Sequence, residues 1–314
     1  MIIPTHLSRT IIARCKAHGV TVSNTIFVLS SFAWIRLASS YIANPHTTEA
    51  QKRLWRQISD ETLPIMMYTA VNLRPYMDAA LPPESYVFLT LGYLNVVLPG
   101  FLPHFADHTI SDEDKKKALD SIFWSRAKSV RTQSRKALSS PFFASRNRIA
   151  SQERALRAEA WAVLDDRADE ENRRAKAGLP PLPPVVKPLA ESKPLPPPVQ
   201  AAPKAPSAAL IGVSIWPSVD PVYEPSNFPA INLIQLLTQT RKNTGGMLIM
   251  GFTLREKINI TIGWDANCFP EGIVEEFWEE FEKGIGEFLV GEDQKVELER
   301  GLEVGLRNRV DPRL

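Results

Sequence analysis

Apolar and polar positions change period several times along the chain, and each change predicts an element. Leu7, Ile11, Ile12 and Cys15 recur at helical spacing and Gly19 follows, predicting a helix from about residue 7 to 17 that stops at the glycine. From Ser23, read as an N-cap, to about Ala43, "SNTIFVLSSFAWIRLASSYIA" is apolar nearly all round, the pattern of a helix sandwiched inside a core. A weaker amphipathic segment covers Ala50 to Ser59. "IMMYTAVNL" and "YVFLTLGYLNVVL" are rich in β-branched and aromatic residues and bounded by prolines, which predicts strands.

Ser111 then opens a helix with an acidic first turn and basic residues late, and a further helix spans Arg146 to Lys176. The second carries a thin apolar stripe (Ile149, Leu156, Ala160, Val163) among charges of both signs, the mark of a surface helix that frays toward its end. "ALIGVSIW" is a strand, and "AINLIQLLTQT" a strand or short helix. "GMLIMGFTL" and "KINITIGW", separated by Arg255 and Glu256 alone, form a tight antiparallel hairpin. Pro270 and Glu271 open a last helix through Leu289, whose stripe of Ile273, Phe277, Phe281 and Ile285 is expected to pack on the sheet. The charged tail after it is expected to fray. The fold class is α/β, a mixed sheet covered by helices. One interruption stands out: residues 180–206 hold eleven of the chain's 26 prolines and one acid, Glu191. The organisation is therefore one lobe split into residues 1–178 and 207–314 by a disordered, polyproline-like insertion at 179–206. A docking motif for a proline-binding partner is the alternative use of that insertion.

Composition narrows the function classes. At 44% hydrophobic and 23% charged residues, the 314-residue chain is ordinary for a globular protein, and its net charge of +2 gives no reason to invoke nucleic acid or an anionic membrane. The 23–43 segment is long enough to span a membrane, but its serines, Asn24 and Arg36 favour a buried core helix. Cys15 and Cys268, with no secretory signal ahead of them, read as reduced thiols in a cytoplasmic protein. The sequon at Asn259 falls in a strand and is expected to stay unmodified.

The most specific stretch is "AVNLRPYMDAALPPESY". It resembles a segment of the CoA-dependent acyltransferases that share the chloramphenicol-acetyltransferase and condensation-domain fold, in which a strand ends in Asn-x-Arg before a proline-punctuated turn. "RCKAHGVTVSNTIFVLSSFAW", "FWSRAKSVRTQSRKAL", "ALIGVSIWPSVDPVY", "LTQTRKNTGGMLIMGFTLREKINITIGWD" and "FWEEFEKGIGEFL" agree in order with a fungal, alcohol acetyltransferase-like branch of that superfamily. The resemblance implies two lobes with a tunnel between them, acyl-CoA as co-substrate, an alcohol as acceptor, and a catalytic His-His-x-x-x-Asp-Gly motif at the end of the first lobe. In such enzymes the imidazole removes the alcohol's proton as it attacks the thioester. This chain is expected to begin after that lobe, as a truncated relative that is inactive alone, with the first lobe or a second copy covering the exposed face. The alternative is a non-catalytic scaffold that presents the proline-rich loop.

The resemblance assigns Arg74 to the arginine that braces the motif's aspartate, with Asn72 beside it. His108 and Asp112, in "HTISD", keep the histidine–aspartate spacing, but Glu113 follows where a small residue belongs, and the stretch lies after the Asn-x-Arg strand. A helix-entrance role fits them better, so His108 stands only as the weakest candidate base. Asp220 and Tyr223, in "SIWPSVDPVY", survive from a tunnel-lining pattern whose Gly-Asn pair is replaced by Pro217 and Ser218. Thr240, Gly245, Gly246 and Asp265 are further tunnel-lining candidates, although turns alone would account for the glycines and for Asp265. Cys15 and His18 have metal-like spacing but no second pair nearby, so no metal is expected.

Overall fold

The computed structural model describes residues 1–59, 63–76, 90–103, 111–183, 211–238, 240 and 246–291. The proline-rich stretch beyond residue 183, the tail from 292, His108 and Gly245 lie outside them. The described residues fall into two compact units, one drawn from within residues 1–71, 93–139 and 209–314 and the other from within residues 72–92 and 140–208.

The first unit is built on a five-stranded mixed sheet. Its strands are β1 (Ile65–Asn72), β2 (Leu91–Leu98), β3 (Ile211–Ser218), β4 (Met247–Leu254) and β5 (Lys257–Trp264), in the order β2-β1-β3-β4-β5. β3 runs parallel to both β1 and β4, whereas β4 and β5 form an antiparallel hairpin in register from Met247↔Trp264 to Leu254↔Lys257. Both sheet edges are partly covered. Ile3 donates its N–H to the Ile258 carbonyl at 2.8 Å, and the Met1 carbonyl accepts the Ile260 N–H at 3.0 Å. At the β2 edge the Gln133 carboxamide bonds both backbone groups of Val97, accepting its N–H at 2.9 Å and donating to its carbonyl at 2.8 Å. A glutamine amide thus stands where a neighbouring strand would otherwise pair.

Helix α1 (Thr5–Ala17) ends at Gly19, whose φ of +70° suits glycine. Helix α2 (Val22–Ala43) is capped two residues earlier than expected from sequence. Thr21, not Ser23, is the N-cap: its hydroxyl accepts the Asn24 N–H at 3.3 Å, while Asn24 Oδ1 accepts the Thr21 N–H at 3.0 Å. This reciprocal pair is a capping box with asparagine in the usual glutamate place. α2 is long and apolar enough to cross a membrane by length and composition, and 67% of its most apolar window is buried within the protein. That burial comes from neighbours on several sides: α1, α3 (Glu49–Ile58), α4 (Asp112–Leu138), β3 and α6 (Ile273–Gly284) all pack on it.

Three elements differ from the sequence reading. Residues 231–238 form neither strand nor helix, Ile231, Ile234 and Leu237 are exposed, and among the described residues no strand pairs with this apolar run. α6 begins at Ile273 behind Gly272, whose φ of +90° gives the chain its turn into the helix, and it passes into a π-helical segment at Ile285–Val290. Its stripe of Ile273, Phe277, Phe281 and Ile285 is buried as expected, but its main partner is α2, so α2 forms the middle layer. In the second unit, α5 (Phe143–Lys176) remains helical to its last residue rather than fraying. It is a surface helix as expected, with Ile149, Leu156 and Val163 each more than 60% exposed.

Candidate functional site

A groove of about 360 Å³ opens in the first unit between the start of α2 and strands β3, β4 and β5. Its wall arises from a β-bulge. Ile215 pairs with Gly251 and Ser218 with Thr253, so β3 spends one more residue than β4 over this interval. Pro217, which has no N–H to give a ladder, occupies the bulge beside Trp216, which is about half exposed. Gly251 floors the groove because a Cβ there would lie 2.9 Å from the Asn259 carbonyl and 3.0 Å from Ile215 Cδ1. Val22 and Ile26 from α2, Phe252 from β4 and Ile258 and Ile260 from β5 complete an apolar lining.

The polar groups in the lining are few and partly committed. Thr21 is engaged in the cap of α2, and Asn259 Nδ2 donates to the Lys257 carbonyl at 2.9 Å. Ser23, Thr253 and the indole N–H of Trp216 are the others. No lining side chain is an imidazole, carboxylate, amine or thiol. The groove can therefore hold an apolar or weakly polar group, but its own lining cannot act as the general base an alcohol needs. Asn259, the sequon residue, is buried within β5. A second hollow of about 330 Å³ is lined by Ile2, Ile234, Gln235, Leu254, Arg255, Lys257 and Asn259.

Of the candidate site residues read from sequence that lie among the described residues, none lines the larger groove. Asp220 has a structural task instead. Its Oδ1 accepts the Arg255 N–H at 2.7 Å and its Oδ2 accepts the Ser218 hydroxyl at 2.8 Å. Arg255 and Glu256 make the β4–β5 turn with φ of 49° and 60°, a left-handed conformation that disfavours residues bearing a Cβ. The Arg255 guanidinium also bonds Asn232, and Glu256 pairs with Arg9. Asp220→Ala is expected to lower stability by about 1 kcal/mol, since a charged acceptor of a turn N–H is lost at a solvent-accessible site. Chemical denaturation of the purified variant checks this.

Tyr223 stacks on Phe228, with ring centroids 4.8 Å apart. Asp265 holds a turn: Oδ1 accepts the Asn267 N–H at 3.1 Å, and Cys268 Sγ donates to Oδ2 at 3.1 Å. That thiol contact, followed by the Asn267 amide, draws the Asp265 carboxyl below its ordinary value. Thr240 is exposed, and Gly246 lies just ahead of β4. Asn72 and Arg74 belong to the second unit, where both are exposed and the Arg74 N–H donates to Asn72 Oδ1 at 3.0 Å. Cys15 is buried against Thr25, and burial pushes its thiol up to about 11. His18 instead stacks flat on Trp124 at 3.7 Å; burial lowers its pKa although Asp120 pulls the other way. Among the described residues no group of three or more histidine, cysteine or acidic side chains could hold a metal ion.

The groove has no counterpart in the sequence reading. A proline inside a strand pattern marks a bulge, and a glycine inside a strand marks a close backbone approach. Pro217 and Gly251 carry those signals, but nothing in the sequence shows that their strands are neighbours.

No protein-family profile matches the sequence. No curated protein matches it either. Among solved structures the fold is similar to that of the TRI3 trichothecene 15-O-acetyltransferase from Fusarium sporotrichioides, at 11% identity and a TM-score of 0.51. The match covers 90% of this chain and 44% of that enzyme, so the chain spans less than half of its structural neighbour's length. The mixed five-stranded sheet with flanking helices is thus an α/β, acyltransferase-like fold, shared with a known O-acetyltransferase at the level of architecture.

Proposed function

We propose that this chain is one lobe of a CoA-dependent O-acyltransferase-like protein, related to alcohol acetyltransferases, in which acyl-CoA and an alcohol meet between two lobes. The observation that carries this reading is the shared fold: nine-tenths of the chain superposes on less than half of an O-acetyltransferase. A second feature supports it. Val222, Phe228, Ile231, Ile234 and Leu237 are all exposed along one irregular segment, the kind of surface that a further lobe or a second copy would cover. In this reading the apolar groove by Trp216 takes the acyl chain or the carbon skeleton of the alcohol, and the proton-removing imidazole comes from elsewhere. Arg74 and Asn72 keep the bracing role the resemblance gives them, and Asp220 serves the β4–β5 turn.

The purified chain is expected to bind a medium-chain acyl-CoA, read as saturable quenching of tryptophan emission that Trp216→Phe removes. It is expected to release no free CoA in the presence of alcohols. Turnover that His108→Ala abolishes would overturn the placement of the base outside this chain, and absence of any binding would overturn the role of the groove. The competing reading is a scaffold that presents the proline-rich insertion, favoured by the eleven prolines at 180–206. Deleting residues 179–206 separates the two: a scaffold loses its partner in a pull-down, while an acyltransferase lobe keeps its acyl-CoA binding.

A further inference from the structure

Helix α5 is 34 residues long, about 51 Å at 1.5 Å per residue, yet among its described side chains only Phe143 and Asn147 are buried. Its large apolar side chains are not scattered. Phe142 at its N-cap, Ile149, Leu156 and Val163 recur every seven residues and are 73%, 66%, 69% and 66% exposed, with Leu164 alongside. A seven-residue step is two helical turns less about 20°, so the four lie in one slowly drifting stripe of about 32 Å. At the far end the chain turns back, and Arg174 and Arg167 donate to the carbonyls of Pro180 and Pro183. Among the described residues this return reaches the helix only from Arg167 onward, and it leaves the stripe open.

Charge is segregated along the same helix. Residues 146–157 hold four arginines and one glutamate, whereas residues 158–171 hold six acids and one arginine. Arg173, Arg174 and Lys176 complete the last turn, and Glu170 and Glu171 pair within the helix with Arg173, Arg174 and Arg167. The four arginines of the first half instead stand opposite the acids of the second in an antiparallel pairing. A second copy running antiparallel lays stripe on stripe and basic half on acidic half, and a two-fold axis makes both contacts at once. With the axis at Leu156, that residue meets its own counterpart, Ile149 meets Val163 of the partner subunit, and Arg146 stands level with Asp166 of the partner subunit.

We propose that α5 is a homotypic interface at which two copies of this chain pair antiparallel through the Ile149–Val163 stripe. The inference stands independently of the acyl-transfer reading, because it rests on α5 alone. Sedimentation velocity on the full chain is expected to show a dimer that weakens with salt, and Leu156→Glu should raise its dissociation constant at least tenfold while far-ultraviolet circular dichroism is unchanged. Arg146→Asp and Asp166→Arg should each weaken the dimer, and the two together should restore it. That rescue decides the matter if Leu156→Glu instead unwinds the helix. In a Cys268→Ser background, Leu156→Cys should crosslink to itself on oxidation and Phe142→Cys should not. A monomer at all concentrations, a dimer indifferent to these changes, or self-crosslinking at both positions would overturn the proposal. So would a monomer whose α5 stripe is protected from hydrogen exchange by its own chain.

Discussion

Phe288→Ala is expected to destabilise the protein by about 3–5 kcal/mol, the range for emptying a fully buried aromatic site. Phe288 is 1% exposed and stacks on Phe123, with centroids 4.4 Å apart and planes 2° from parallel. Phe32 meets both rings edge-on, at 5.5 Å from Phe288 and 5.7 Å from Phe123. The three rings come from α2, α4 and the π-helical segment after α6, so the cluster joins elements far apart in sequence. Arg36 adds a lid: its guanidinium lies over Phe288 at 5.6 Å and forms a two-pronged pair with Glu287 at 2.7 and 3.0 Å. Aromatic pairs of this geometry contribute about 0.5–1.5 kcal/mol beyond area burial. The surrounding backbone has little freedom to close the void, because α2 and α6 already approach so closely that a Cβ on Gly284 would lie 2.8 Å from Leu29 Cδ2. Urea unfolding measures the loss, with Leu54→Ala on the exposed side of α3 as a control expected to stay within about 0.5 kcal/mol. A loss below about 1 kcal/mol for Phe288→Ala would show that the ring triangle is not part of the stable core.

What the sequence made legible was what local chemistry decides. The nearly all-apolar run of α2 announced a helix enclosed on several sides, and it is enclosed by α1, α3, α4, α6 and β3. Two β-rich runs separated by two residues announced the β4–β5 hairpin, and Ser111 announced the start of α4 by accepting the Asp114 N–H. Partners in space were less legible. The stripe of α6 specifies an apolar neighbour without saying whether that neighbour is a sheet or a helix, and α2 took the place. Ile231, Ile234 and Leu237 carry the apolar content of a buried element, yet among the described residues no strand pairs with them. The candidate site suffers from the same limit. Asp220 stands out in sequence as a carboxylate near a motif, but its partner is the backbone of Arg255, thirty-five residues on, in a left-handed turn that two non-glycine residues hide from a reader looking for Asn-Gly. The groove beside Trp216 needs a bulge, a glycine and the end of a distant helix to coincide, and only the first two leave local traces.

Gly212→Val is expected to cost about 2–3 kcal/mol, the upper part of the range for overpacking a well-filled interior. Gly212 lies in β3, the middle strand of the sheet, opposite Tyr68 on β1 and Leu248 on β4. A Cβ at this position would stand 2.5 Å from Tyr68 Cζ, 2.7 Å from its hydroxyl oxygen and 2.7 Å from Leu248 Cδ1. The tyrosine ring therefore lies across the glycine and covers backbone that a side chain would otherwise shield. The cost then belongs to the pair rather than to the glycine, which a double-mutant cycle can read. In a Tyr68→Ala background the same Gly212→Val change should cost at least about 1 kcal/mol less, because the space it needs has been vacated. The phenol supplies a second signal. Burial, and then the neighbouring Tyr93, hold the Tyr68 pKa above its ordinary value, with the two rings 6.3 Å apart. A ring pushed outward by the added isopropyl group regains water, so in Gly212→Val its phenolate absorbance should appear at lower pH than in the unaltered protein. Strictly additive costs together with an unmoved phenol titration would mean that the strain falls on Leu248 and the β4 backbone, and that the tyrosine does not roof the glycine.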